Sequence, residues 1–181
     1  MYLWVGCKLP EAFEREIRQR CLALNEQVGL DTVAFELPQH ISLKISFQTD
    51  RTDEVLDDLA AFLAEQRPFS VRILHAEQAG NILWMTVAEN DRLQRLHAQL
   101  DERLKDRFGI PQHEFDKCFL FHSTLFMDAD AEKIGRMERL LADYPISREL
   151  PVDTFLLGMS ETGKPGTCHI VREIRLPSAT R

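Results

Sequence analysis

The chain of 181 residues reads as an α+β protein of two pseudo-symmetric lobes, each a mainly antiparallel sheet with two helices, facing across a central groove. Three observations predict that class. The apolar spacing switches between period 2 and period 3.6 in a set order: strand, helix, strand, helix, strand. Those periods mark half-buried strands and amphipathic helices. The same order occurs twice, over about 1–78 and 79–160, before a closing strand at about 167–176. The copies also hold register, with Trp4 and Trp84 80 residues apart, His40 and His122 82 apart, and Pro68 and Pro151 83 apart. Two copies are too few to stack as a solenoid. They suit one bilobal domain over 1–181, because each sheet must bury its apolar face against another layer.

Residues 2–8 form a short apolar run suited to a buried strand, which Leu9-Pro10 ends. From Glu11, the apolar positions Phe13, Ile17, Cys21, Leu24 and Val28 recur every three or four residues, as on one face of a helix. The segment from His40 to Phe47 then alternates. Ile41, Leu43, Ile45 and Phe47 point one way; His40, Ser42, Lys44 and Ser46 point the other. A helix through Val55, Leu59, Phe62 and Leu63 and a strand at about 69–76 complete the first copy. The second opens with a strand over 81–88, and Asn90 caps a helix whose face is Leu93, Leu96, Leu100 and Leu104. A strand over 119–126, a helix through Ile134, Met137 and Leu141, and a strand near 152–159 follow. Trp4, Trp84 and Phe121 read as core by pattern. The segment 161–166, Glu-Thr-Gly-Lys-Pro-Gly, reads as a turn or as a lid carrying Lys164.

Composition excludes several functions. Hydrophobic residues make up 44% and charged residues 28%, which suits a globular protein and not a disordered one. No stretch approaches the roughly 18 apolar residues of a membrane helix, so no membrane partner is expected. The first residues lack a cationic leader, and the four cysteines form no C-x-x-C pair. Both features point to reduced thiols in a cytoplasmic protein. The net charge is −7 with no Lys/Arg run, so generic duplex DNA binding is not expected. A small anionic ligand in a locally basic cleft is compatible with this charge pattern.

The repeat places a histidine and a hydroxyl two positions apart at equivalent sites: His40 with Ser42, and His122 with Thr124. That spacing puts both side chains on one face of a strand, and pseudo-twofold symmetry brings the pairs into one groove. Such a set suits phosphoryl transfer. A neutral imidazole takes a proton from the attacking oxygen, and an imidazolium gives one to the leaving oxygen. The hydroxyls donate to the phosphate oxygens where charge accumulates. A zinc site on His40 and His122 would need further ligands on that face, where the neighbours are Ser, Thr, Lys and Phe. No metal and no cofactor is therefore expected. His75, His97 and His113 have no hydroxyl partners and read as surface or partly satisfied histidines.

The motifs His40-Ile41-Ser42-Leu43 and His122-Ser123-Thr124-Leu125 resemble those of the two-histidine (2H) phosphoesterase superfamily. Within it, the bacterial 2'-5' RNA ligase and RNA 2',3'-cyclic phosphodiesterase-like proteins are most similar. The opening Leu3–Glu11 and the late Leu156–Ser160 with Gly166 extend the resemblance over nearly the whole chain. It implies metal-independent chemistry on a nucleotide or RNA terminus carrying a cyclic phosphate or 2'-5' linkage, with His40 and His122 as acid/base pair. A 2'-5' phosphodiesterase or reversible ligase is an alternative, as is a non-catalytic nucleotide-binding module. Lys44, on the His40 face, is a candidate cation for the substrate or a solvated strand-end lysine. Phe126, sharing parity with His122 and Thr124, is a candidate base-stacking ring or a core residue. His169, opposite in parity to Cys168 and Ile170, is a candidate to face the groove.

Overall fold

The computed structural model describes residues 1–177, so 178–181 of the domain read from sequence lie outside the described residues. The strands are β1 Tyr2–Lys8, β2 His40–Gln48, β3 Phe69–Ala79, β4 Ile82–Val87, β5 His122–Met127, β6 Arg148–Val152, β7 Thr154–Ser160 and β8 Cys168–Arg175. The helices are α1 Glu11–Asn25, α2 Thr52–Ala64, α3 Asp91–Phe108 and α4 Ala131–Leu141. Short 3₁₀ helices at Val33–Glu36 and Glu114–Cys118 precede the two motif strands.

Local chemistry accounts for several boundaries. The Asn90 side chain accepts from the backbone N–H groups of Arg92 and Leu93 and starts α3, and Gly109 ends it in the left-handed region at φ 67°. Helix α1 stops at Asn25, so Val28 falls in the turn that Gly29 N–H closes onto the Asn25 carbonyl at 2.8 Å. Two expectations need correcting. The strand read over 119–126 begins only at His122, because the preceding residues belong to the 3₁₀ helix and its exit. The strand read near 152–159 is two strands, broken at Asp153.

Two four-stranded antiparallel sheets result, ordered β2-β1-β7-β8 and β5-β4-β3-β6. They correspond strand for strand, and each motif strand lies at an edge. The sheets do not follow the sequence repeat. The third strand of the first copy, β3, joins the second sheet beside β4, and β7 joins the first sheet beside β1. The first helix of each copy crosses over as well. Helix α1 packs on α4 and reaches β6 through Glu16, which binds Arg148 at 2.8 Å. Helix α3 packs on β2, and Arg103 on α3 donates to Asp58 on α2 at 2.8 Å. Each lobe is thus built from both copies, and one contiguous cluster of buried side chains runs through both sheets.

Trp4 shows how close packing positions the groove. Its ring lies flat across Gly158, where an added Cβ would overlap the indole, and beside Gly6, where a Cβ would come within 2.9 Å of the His40 ring. The indole N–H is buried without a hydrogen-bond partner among the described residues. Shape alone holds this ring. Overpacking typically costs about 1–3 kcal/mol, so Gly158→Ala is expected to lower the urea-unfolding stability by that order. An unchanged midpoint would mean that the indole has room to move.

Candidate active site

Strands β2 and β5 approach each other at the groove, and His40 and His122 are their first residues. Their settings match. The Nδ1 of His40 faces the Pro38 carbonyl at 2.8 Å, and the Nδ1 of His122 faces the Leu120 carbonyl at 2.7 Å. A carbonyl only accepts, so each Nδ1 carries a proton and each Nε2 is left as the working nitrogen. Each ring also lies against a tryptophan. Trp4 stacks on His40 with centroids 4.7 Å apart, and Trp84 leans on His122 at 4.2 Å. Trp4, buried as expected, and Trp84, half-buried, thus also form walls of the site.

Their offset of 80 residues is not a register equivalence. Ser42 pairs with Gly6, whereas Thr124 pairs with Trp84. Trp4 lies two residues before Gly6, the position equivalent to Trp84, and leans forward along the strand to reach His40, which faces Lys8.

Burial holds both imidazoles below the ordinary histidine value, because removing water penalises the charged ring. The carbonyl bonds to Pro38 and Leu120 partly oppose this, and the charge of His122 lowers His40 further. The two rings thus share one electrostatic environment.

His40, Ser42, His122 and Thr124 all line one cavity of about 810 Å³. The four residues singled out as the chemical set therefore converge. A buried hydrogen bond joins the two motifs directly: Ser123 Oγ donates to Gln39 Oε1 at 2.9 Å. Sequence reasoning missed this pair. Its signal was a serine on the inward parity of a strand and a glutamine beside the other motif.

The remaining candidates are placed differently. Lys44 and Phe126 occupy equivalent positions in the repeat, and a β-bulge turns each one inward. On β2 the residues Ser42 and Lys44 face consecutive partners, Gly6 and Val5, so Leu43 is extra; on β5 Leu125 is extra in the same way. The extra residue turns the one that follows it to the opposite face, and on β2 a second irregularity between Lys44 and Phe47 returns Phe47 to the core. Phe126 is accordingly in the core, edge-on to Phe35 with centroids 5.2 Å apart, and is not a stacking platform. Lys44 borders the cavity, but its ammonium is buried against Asp101 at 3.0 Å and against Asp116. It is neither solvated nor free. His169 is exposed and off the cavity wall; Cys168 lines the wall instead, so β8 presents the opposite parity to the one expected. Gly163, Pro165 and Gly166 of the late loop also line the cavity, while Lys164 does not.

His97 is buried, not a surface residue. Its Nδ1 faces the Leu43 carbonyl at 2.7 Å and its Nε2 the Asp116 carbonyl at 3.0 Å. Two backbone carbonyls thus hold the ring in place beside the Lys44, Asp101 and Asp116 ion pairs. Among the described residues, His97, Asp101 and Asp116 are also the group with metal-ligand spacing, but the Lys44 ammonium already binds both of its carboxylates. This cluster spans β2, α3 and the 3₁₀ helix ahead of β5, and it fixes one motif strand to the approach of the other. Removing one partner of a buried ion pair costs about 3–5 kcal/mol. Lys44→Met is expected to lose that much in urea unfolding, and adding Asp101→Asn and Asp116→Asn should recover most of it. Equal loss in the single and triple variants would mean that charge balance is not what holds the cluster.

A family model described as the 2'-5' RNA ligase superfamily matches residues 9–163. No curated protein matches the sequence. Solved structures resemble the fold over the whole chain. A Thermus thermophilus protein, TT0787, is 20% identical with a TM-score of 0.67 and covers 99% of this chain and 100% of its own. Escherichia coli LigT complexed with 3'-AMP is 20% identical with a TM-score of 0.65, covering 97% and 98%. Kluyveromyces marxianus Usb1 is 12% identical with a TM-score of 0.56, covering 97% and 98%. At these identities the likeness is one of fold.

Proposed function

From the premise that the chain belongs to the 2'-5' RNA ligase superfamily of two-histidine phosphoesterases, we propose that it hydrolyses 2',3'-cyclic phosphates of nucleotides or RNA ends without a metal. The observation that carries this reading is the pair of Nε2 atoms, unpartnered among the described residues, in one cavity with two hydroxyls. Water attacks phosphorus while one neutral imidazole takes its proton. The bond to one ribose oxygen breaks, and the other ring, as imidazolium, gives that oxygen a proton. A phosphomonoester results. Ser42 and Thr124 donate to the non-bridging oxygens, where negative charge grows. The family description favours a second substrate, a 2'-5' diester, on which the same proton transfers operate.

Turnover of 2',3'-cyclic AMP to a phosphomonoester, assayed in chelator, tests the reading. Binding of the monophosphate without turnover would instead leave a nucleotide-binding module. His40→Ala and His122→Ala should each lower kcat/KM by about 10²–10⁴. The double variant should be scarcely worse than the weaker single one, because the pair acts as a unit. Ser42→Ala and Thr124→Val should each cost roughly 10- to 150-fold, the equivalent of about 1.5–3 kcal/mol per hydrogen bond to a charged oxygen. Wild-type rates in both hydroxyl variants would remove the phosphate from these pairs.

The shared burial sets the pH profile. One ring must be neutral and the other charged, so kcat/KM is bell-shaped. Both rings lie below the ordinary value of about 6.5 in the free protein, so both limbs move to lower pH. The maximum of kcat/KM is expected on the acid side of that value. A bound phosphate anion favours the charged ring and raises both, so kcat should peak at higher pH than kcat/KM. Coincident maxima above pH 7 would contradict the desolvated pair.

A further inference from the structure

Resting on the reading of a cyclic-phosphate hydrolase, we propose that the substrate is a single cyclic phosphate monoanion on one uncharged flat or apolar group, a lone nucleoside 2',3'-cyclic phosphate, and not the end of an RNA chain. The charge of the walls points there. The basic cleft compatible with the sequence is absent among the described residues. The main cavity is lined by the carboxylates Glu36 and Glu114 and by one cation, Lys44. That ammonium is already bound by Asp101 and Asp116. Beyond Trp84 and His122 the groove continues into a hollow of about 290 Å³, lined by Glu77 and Glu89 and, among the described residues, by no lysine or arginine. Lys117 and Lys164 are exposed neighbours of lining residues, but neither lines either cavity.

Each added nucleotide brings another phosphate, and proteins that hold such chains neutralise the backbone with Lys and Arg. Here an extended strand would pass carboxylates in either direction. One phosphate fits, because Ser42 and Thr124 supply hydroxyl donors and the histidines carry the proton. The rest of the surface suits an uncharged group. Phe115 and Leu120 line the cavity while 66% and 70% exposed, an unusual placement for large apolar side chains. With Phe119 and Trp84 they offer aromatic and apolar faces on which one base packs. The volume lies in the range of pockets that enclose one small ligand.

The test compares kcat/KM for 2',3'-cyclic AMP with that for a tetra-adenylate ending in the same cyclic phosphate, at about 50 and 200 mM salt. Cyclic AMP should be preferred by about tenfold or more, and the tetranucleotide should show none of the steep loss with salt that phosphate neutralisation produces. Glu36→Gln with Glu114→Gln should narrow the preference. Phe115→Ala should lower kcat/KM for cyclic AMP by about 5- to 150-fold, the equivalent of one stacked base. Equal or better hydrolysis of the tetranucleotide, with a steep fall as salt rises, overturns the proposal. Failure of both substrates to turn over overturns the hydrolase reading itself, so the two failures are distinct.

Discussion

The hydrogen bond from Ser123 to Gln39 is the constraint on which the site depends, because it joins the two motifs through their own sequence neighbours. Both side chains are buried, so breaking the bond would strand a donor and an acceptor away from water. The placing of His40 against His122 is therefore constrained by a contact between their immediate sequence neighbours. The cluster of Lys44, His97, Asp101 and Asp116 repeats the tie a few residues further along. Two buried polar contacts across one seam resist both sliding and opening, since each is costly to leave half-made.

The exchange of β3 and β7 between the sheets extends that constraint to the whole fold. A lobe built from one copy of the repeat could swing on its linker. Here each sheet contains a strand from the other copy, so separating the lobes would unpair strands and split one continuous core. The groove is consequently a fixed gap between interlocked sheets. A preformed gap suits acid/base catalysis, which needs both proton-transfer groups held in place before the substrate arrives.

The walls then set the electrostatics of that gap. Trp4 and Trp84 cover one side of each imidazole, and burial of both rings away from water is the leading cause of their lowered proton affinity. The carbonyls of Pro38 and Leu120 fix the ring orientation and return part of that loss. Each motif thus carries its own orienting group two residues upstream, a local device that the repeat duplicates.

The sequence by itself determined the repeat, the four helices, the motif strands and the four converging side chains, because each rests on spacing. Period 2 puts His40 with Ser42 and His122 with Thr124 whatever lies around them. Tertiary structure decided what spacing does not encode. A bulge after each hydroxyl reversed parity, which sent Lys44 to buried aspartates and Phe126 to the core. Pairing partners decided that β3 and β7 change sheets, because an antiparallel edge accepts any strand that presents the right apolar face. The character of the cleft was also decided in three dimensions. Glu36 and Glu114 come from distant segments to line one cavity, and Glu77 and Glu89 from the β3–β4 hairpin to line the adjoining hollow.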